Sequence, residues 1–361
     1  MKELIIGDLV AKVPIIQGGM AVGISISGLA SAVAIAGGIG VIATAGIGHM
    51  EEDFRTNYIE VHNRVLSREI RKAKELTDGI IGINIMVALS NYSESVKVSI
   101  KEGADIIFSG AGLPLNLPGY LPEGSTKTKL VPIVSSAKAA VLISKRWIDK
   151  FNYVPDAVVV EGPKAGGHLG FKKEDLFDEK YALENLLQDV LKQIKPLEEK
   201  YNKSIPVIPA GGIYTGADIC KFIKMGASGV QMATRFVGTY ECDASDEFKQ
   251  AYLKSGSEDI IIIESPVGMP GRAIRNQFLT DVEHGQKKPF KCPYHCIITC
   301  NVKSAPYCIA EALCNAKEGN LAHGFAFAGE NASRVDKIVH VKDLIDTLIA
   351  EYEEASANDK T

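Results

Sequence analysis

The sequence predicts a (β/α)8 TIM barrel with a smaller additional subdomain, and three observations support this prediction. Eight short apolar segments alternate with amphipathic segments before residue 240, which is the pattern of buried parallel strands covered by helices. Glycines gather where the apolar segments end, as in the loops at the site face of such a barrel. After about residue 238 the alternation stops, so the next segment is expected to form a separate unit.

The elements of the barrel follow from the apolar and amphipathic periods of the chain. Strands buried on both faces are predicted at residues 13–17, 39–42, 80–85, 105–108, 131–134, 157–160, 207–209 and 229–232. Helices are predicted between them at residues 55–76, 93–102, 137–150, 181–201 and 216–225. An open, doubly wound sheet is the alternative architecture, but eight regular units favour a closed barrel.

The end of the alternation divides the chain into two predicted units. Residues 1–240 and 331–361 are expected to form the barrel, with a closing helix at residues 341–352 that packs back on it. Residues 241–330 contain few barrel-like units, and five of the seven cysteines of the chain cluster between residues 292 and 314 of this segment. We therefore predict a small cysteine-containing subdomain over this segment.

Composition and charge exclude several classes of function. The net charge of −4 and the pI near 6.0 leave no basic surface for nucleic acid. No apolar run reaches the ~18 residues that a membrane span needs, so no membrane partner is expected. The first residues lack the apolar core of a signal peptide, so a cytoplasmic location is expected. The partner is expected to be a small-molecule substrate, and no oligomeric state is predicted.

Two segments after predicted strands indicate a phosphate site. Gly211-Gly212 follows the seventh predicted strand and precedes a helix, and Ala233-Thr234 follows the eighth. Backbone N–H groups and a helix N-terminus can bind a phosphate without any lysine. A tight turn is the alternative for any one glycine pair. Glycines recur at several matching strand ends, however, which favours a ligand site.

His168 is the candidate catalytic residue. It follows Gly166-Gly167 in the loop after the sixth predicted strand, on the predicted site face. An imidazole whose pKa lies near neutrality could remove or supply a proton there, whereas a purely structural histidine is the alternative. Glu161, at the end of the same strand, could accept hydrogen bonds from ligand hydroxyls, unless it is only a satisfied strand-end carboxylate.

Four ordered motifs carry a resemblance to a known family. They are the segments PIIQGGM at 14–20, AGGHLG at 165–170, PAGGI at 209–213 and QMATRF at 231–236. The set resembles the nitronate monooxygenase (2-nitropropane dioxygenase) family, and the flavin-dependent enoyl-acyl carrier protein reductases share the same pattern. The similarity spans residues 1–240, with GFAFAGEN at 324–331 as a further similar piece.

The resemblance implies non-covalent FMN on a barrel with an additional small domain. The residues that it places around this cofactor are Gly19, Met20, Asn84, Ser135, Glu161, Gly166, Gly167, Gly211, Gly212, Ala233 and Thr234. Glu161 would lie near the ribityl chain, and the last four would hold the phosphate. Ser135 departs from the pattern, because some members carry a more basic or polar flavin contact there. His168 matches the family's catalytic histidine.

The resemblance also implies a flavin-dependent oxidoreductase, with two activities in view. A nitronate monooxygenase would oxidise alkyl nitronates with O2, and His168 would take the α-proton of a neutral nitroalkane or hydrogen-bond the nitro group. The alternative is an enoyl-acyl carrier protein reductase that uses NAD(P)H, which these enzymes bind without a separate G-x-G-x-x-G domain. A non-catalytic barrel that binds a phosphorylated metabolite is the alternative from another class.

Cys292, Cys296, Cys300 and Cys308 are candidate metal ligands. If helical, the first three lie on one face, and Cys314 follows nearby. Thiolates this dense can hold zinc or an iron–sulfur cluster. Their spacing matches neither the C-x2-C pairs of zinc sites nor the ferredoxin run, so reduced thiols that pack a small core are the alternative. A disulfide framework is not expected in a chain without an export signal.

Overall fold

The computed structural model describes residues 1–288, 290–292 and 295–358. The strands, in chain order, are β1 (Leu4–Ile6), β2 (Leu9–Ala11), β3 (Ile15–Gln17), β4 (Gly40–Ala43), β5 (Ile81–Met86), β6 (Ile106–Gly110), β7 (Lys129–Val134), β8 (Val158–Glu161), β9 (Gly167–His168), β10 (Val207–Ala210), β11 (Val230–Met232), β12 (Ile260–Glu264) and β13 (Pro270–Ile274). The α-helices are α1 (Ser27–Ile35), α2 (Tyr58–Leu76), α3 (Tyr92–Lys101), α4 (Ala137–Phe151), α5 (Leu183–Tyr201), α6 (Gly216–Lys224), α7 (Thr234–Val237), α8 (Asp246–Lys254), α9 (Gln277–Glu283), α10 (Ile309–Lys317) and α11 (Val341–Asn358).

Eight parallel strands form the central sheet, in the order β3-β11-β10-β8-β7-β6-β5-β4. The sheet closes where Ile16 pairs in parallel with Ile39, the residue before β4. At this seam Ile39 donates its N–H to the carbonyl of Ile15, and its own carbonyl accepts from Gln17. The side chain of Gln17, which is fully buried, also accepts the N–H of Val41 at 2.9 Å. The predicted (β/α)8 barrel and its eight strands are therefore confirmed.

Most of the helices cover the outside of the barrel with one apolar face. Helix α2 shows the amphipathic pattern on which the prediction relied, with Val61, Val65 and Ile70 buried against the sheet and polar residues outside. Helix α1 was not predicted, because its nine residues carry no charged side chain and therefore show no amphipathic period. The closing helix is α11, which continues beyond the predicted residue 352 to Asn358.

An antiparallel hairpin of β1 and β2 covers one end of the barrel. Leu4 and Ile6 are buried in the same apolar cluster as Ile16 and Phe108 of the barrel strands. Gly7, in the turn of the hairpin, lies against the side chain of Lys129, the first residue of β7. The hairpin therefore covers the end at which the strands begin and leaves the opposite end open for a site.

The segment after the barrel forms its own apolar cluster. Strands β12 and β13 pair as an antiparallel hairpin, and Phe278, Tyr307 and Phe325 pack beside it. The cluster includes Leu89 from a barrel loop, and β13 pairs with β9, so this segment lies on the barrel itself. The division of the chain into a barrel unit (residues 1–240 and 331–361) and a small subdomain (residues 241–330) stays a prediction. Positions 289, 293, 294 and 359–361 of these two units lie outside the described residues. Among the helices described, none is long and apolar enough to span a bilayer.

Candidate active site

A large cavity lies where the barrel strands end. Its volume is about 960 Å³, near the upper limit for cavities that bind a small ligand or cofactor. The predicted site residues that line it are Gly19, Met20, Asn84, Ser135, Glu161, Gly166, Gly167, His168, Ala233 and Thr234. Gly211 and Gly212 are not part of its wall and lie behind Ala165 and Lys164. The structure thus collects most of the predicted residues from five different barrel strands or the loops after them.

His168 lies on β9, which is paired with β13 rather than with a barrel strand. Its Nε2 is 2.7 Å from the hydroxyl oxygen of Ser265, and the ring of Phe327 packs edge-on against the imidazole at 5.0 Å. Burial lowers the pKa of His168 to about 4, because desolvation disfavours the charged form. The expectation of a pKa near neutrality is therefore wrong. At neutral pH the imidazole is uncharged and is a weak base.

The loop that carries His168 is held by a buried arginine. The side chain of Arg272 is 4% exposed, and its Nη1 donates to the carbonyls of Pro163 and Ala165 at 2.6 and 2.7 Å. In the β9–β13 pairing Arg272 lies opposite Gly167, and Leu169 donates its N–H to Pro270. The loop before His168 therefore has its orientation fixed by residues about a hundred positions later in the chain.

Two glycines on the cavity wall are needed because other groups approach them closely. A Cβ on Gly166 would lie 2.6 Å from the backbone nitrogen of Gly329, so the segment 328–329 can pass directly over the loop. A Cβ on Gly19 would lie 2.5 Å from the Cβ of Asn84. Both distances are shorter than an ordinary non-bonded contact of a carbon atom with carbon or nitrogen. Gly19 and Gly166 therefore bring neighbouring segments together at the cavity.

Glu161 ends strand β8 and carries a carboxylate without a polar partner. Among the described residues no side chain or backbone N–H forms a hydrogen bond or ion pair with this carboxylate. Burial raises the pKa of Glu161 to about 7, since desolvation penalises the ionised form. A satisfied strand-end carboxylate, the alternative interpretation of Glu161, does not fit this environment. An acceptor of this kind suits a ligand that brings its own hydroxyl groups.

The predicted phosphate residues present unpaired backbone N–H groups. Gly211 and Gly212 have φ angles of 92° and 87°, a conformation that glycine adopts without strain. In the part of the chain that the structure describes, the N–H groups of Gly212, Ala233 and Thr234 have no hydrogen-bond partner, whereas that of Gly211 faces the carbonyl of Gln231 in the β10–β11 pairing. Unpaired N–H groups from two neighbouring strand ends can together bind an anion.

The N-terminus of helix α6 does not contribute to this group of donors. The carboxylate of Asp218 accepts the N–H groups of Tyr214 and Thr215 at 3.0 and 2.9 Å. The N–H of Gly216 donates to Glu351 on helix α11 at 2.6 Å. The expected phosphate contact through this helix N-terminus is therefore wrong, because carboxylates of the protein already occupy it.

Some residues at the site were not predicted from the sequence. Ser265 and Arg272 contact the His168 loop but lie in a segment without a site motif. Gly329 faces Thr234, since a Cβ on it would lie 2.6 Å from the threonine hydroxyl. Gly329 could have been predicted from the GFAFAGEN motif at residues 324–331, which contains it. A further part of the cavity wall is apolar and consists of Phe54, Tyr58, Met86, Leu89, Ile297 and Leu313.

The five clustered cysteines do not form a metal site among the described residues. Cys292, Cys296, Cys300 and Cys308 are free and half-buried, as is Cys314. No group of three or more Cys, His, Asp or Glu side chains in the described part of the chain is placed to hold a metal ion. Burial raises the pKa values of the Cys296, Cys300, Cys308 and Cys314 thiols, which opposes thiolate formation. The proposed metal ligation is therefore not supported, and Cys296 and Cys314 instead line the cavity.

Comparisons with known proteins agree with the fold and the site motifs. A family model described as nitronate monooxygenase matches residues 2–351. The (3aS,4S,5R,7aS)-5-hydroxy-7a-methyl-1-oxo-octahydro-1H-indene-4-carboxyl-CoA dehydrogenase of Mycobacterium tuberculosis is 28% identical over 76% of this chain, which spans only 66% of that protein. A probable nitronate monooxygenase of Staphylococcus saprophyticus is 27% identical over 76% of this chain and 78% of its own. The solved structure of FabK from Thermotoga maritima is 28% identical, with a TM-score of 0.75 over 97% of this chain and 96% of that one.

Replacing Glu161 by Gln tests its buried carboxylate in the ligand-free protein. The folded-state pKa of about 7 lies above the ordinary value of 4.5, so ionisation costs the folded state stability as the pH rises through this range. We expect Glu161→Gln to raise Tm by roughly 2 °C or more at about pH 8 and to leave it unchanged near pH 4.5. Thermal unfolding at both pH values measures this difference. Glu123→Gln, at an exposed position, is the control. An equal change of Tm in Glu161→Gln at both pH values contradicts the raised pKa of Glu161.

Proposed function

The chain belongs to the nitronate monooxygenase family and is an oxidoreductase, and on this premise we propose that it oxidises alkyl nitronates with O2 through bound FMN. The observation that carries the proposal is the cavity at the strand ends, which is lined by His168, by Glu161 with its unpaired carboxylate, and by Ala233 and Thr234 with their unpaired N–H groups. As an oxidoreductase, the chain is not the non-catalytic binding barrel that the sequence left open.

The residues of the cavity fit a flavin mononucleotide. The unpaired N–H groups of Gly212, Ala233 and Thr234 suit one phosphate, and among the described residues the predicted site contains no second group of this kind. The partnerless carboxylate of Glu161 suits the hydroxyls of a ribityl chain. A Cβ on Gly167 would meet no atom within 4 Å, so the backbone there is open to a planar ring.

The protein supplies the position of the reacting groups and an apolar surface for the substrate. When bound, FMN supplies the redox chemistry. The neutral imidazole of His168 can hydrogen-bond a nitro oxygen, but its lowered pKa makes it unsuited to remove the α-proton of a neutral nitroalkane. Phe54 and Leu89 give the cavity wall an apolar surface on which a substrate can pack. A preformed nitronate, which has already lost that proton, therefore fits the site better than its nitroalkane.

An NAD(P)H-dependent enoyl thioester reductase is the second candidate. The cavity of about 960 Å³ and its apolar wall leave room for a substrate larger than a small nitronate. The Mycobacterium tuberculosis relative, whose name specifies a carboxyl-CoA substrate, supports a thioester. In this reaction His168 would hydrogen-bond the thioester carbonyl, so both candidates use the same contact.

The identity of the cofactor is tested by flavin content. Gly212→Val places a branched side chain at a φ of 87°, with its Cβ 2.9 Å from the Cβ of Lys164, so the N–H groups shift away from the phosphate. We expect this variant to lose most of its flavin. Gly124→Val carries a similar backbone strain at a φ of 71°, has no neighbour within 4 Å, and should keep its flavin. Acid release and chromatography measure both; recovery of FAD, or full flavin content in Gly212→Val, contradicts the proposal.

The substrate is tested by comparing an alkyl nitronate with its parent nitroalkane at one pH. We expect kcat/KM for the nitronate to exceed that for the nitroalkane by at least roughly tenfold, since an effective general base contributes about 10²–10⁴-fold and His168 is a weak one. Oxygen consumption under air, with an anaerobic control, measures the rates. Equal rates with both compounds would show that the site contains an effective general base, which contradicts this expectation. Turnover only of NAD(P)H with a crotonyl thioester would favour the second candidate.

A further inference from the structure

Only one nitrogen of the His168 ring is free to meet a ligand. Nε2 is engaged with the hydroxyl oxygen of Ser265 at 2.7 Å, and Phe327 packs against the ring. Nδ1 has no hydrogen-bond partner among the described residues, and His168 lies on the cavity wall. Nδ1 is therefore the ring nitrogen that is left available for a ligand in the cavity. Whether it carries a proton decides whether His168 acts as a donor or as a base.

The surroundings of Ser265 determine the direction of its hydrogen bond. Ser265 follows β12 in a tight turn, in which its backbone bonds to Met269 and Gly268, and it is only 7% exposed. Its hydroxyl oxygen already accepts the N–H of Val267 at 3.4 Å. The hydroxyl proton still requires an acceptor, and in the described part of the chain Nε2 of His168 is the one acceptor within reach.

We propose that Ser265 donates its proton to Nε2 and thereby fixes neutral His168 in the Nδ1–H tautomer. The opposite direction, with Nε2–H donating to Ser265, would leave a buried hydroxyl proton without an acceptor, and burying an unsatisfied donor is unfavourable. His168 then presents an N–H donor to the cavity. Ser265 is a positioning residue that acts through His168.

This tautomer gives His168 a definite chemical role, and this step rests on the proposed function. An Nδ1–H donor can hydrogen-bond the oxygen of a nitro group or a thioester carbonyl, where negative charge gathers. It cannot accept a proton from carbon while it keeps that hydrogen. The tautomer thus favours a preformed nitronate over its parent nitroalkane, as the lowered pKa of His168 also does. The two arguments are separate, because the tautomer follows from hydrogen-bond geometry.

The tautomer is measured by two-bond 15N–1H correlation spectra of the purified, cofactor-containing protein labelled with 15N-histidine. The chain has seven histidines, and His168→Gln identifies the His168 signal by its loss. We expect the Nδ1–H pattern in the wild-type protein and in Ser265→Thr, which keeps the hydroxyl. Ser265→Ala should show a mixture of tautomers with unchanged flavin content. Exposed Ser257→Ala is the control and should match the wild type.

An Nε2–H pattern in the wild type overturns the proposal, and so does an unchanged Nδ1–H pattern in Ser265→Ala. The wild-type spectrum decides even if Ser265→Ala does not fold. Turnover of Ser265→Ala on the accepted substrate should fall by roughly two- to tenfold, and Ser265→Thr should recover most of it. The spectra require no substrate, so they test the tautomer independently of whether the nitronate proposal stands.

Discussion

The antiparallel pairing of β9 with β13 is the interaction on which the site depends. Strand β9 is only two residues long, Gly167–His168, and the pairing is reinforced by the bonds of buried Arg272 to the preceding carbonyls. This pairing places Ser265 and Phe327 against the His168 ring. Without it, the His168 end of the loop after β8 would lose these contacts, and the glycines that occupy much of the loop allow many backbone conformations.

Burial shifts the pKa values of His168 and Glu161, two titratable groups on the cavity wall, in opposite directions. It lowers the pKa of His168 to about 4 and raises that of Glu161 to about 7, and in both cases the neutral form is favoured. Around His168 and Glu161 burial therefore reduces the charge, and oriented N–H and O–H groups contribute to the polarity of this part of the cavity. Such fixed dipoles stabilise a developing negative charge without reorganising during the reaction.

The sequence predicted those features that arise from short stretches of chain. The eight strands are mostly apolar, and the glycine loops follow several of them directly, so both leave a local pattern. The partners of the site residues do not: Ser265 lies 97 residues from His168, and Glu351 lies 135 residues from the helix end that it caps. The pKa of His168 was misjudged for the same reason, because burial results from tertiary packing that no local pattern encodes.

Hydrogen exchange at the His168 loop tests most directly whether β13 and Arg272 fix the site. In Arg272→Met the carbonyls of Pro163 and Ala165 lose their donor, and we expect the backbone amides of residues 164–169 to exchange faster than in the wild type. Residues 81–86, on another part of the barrel, should be unaffected, and Arg272→Lys should show a smaller effect. Unchanged exchange at 164–169 in a folded Arg272→Met would contradict the account.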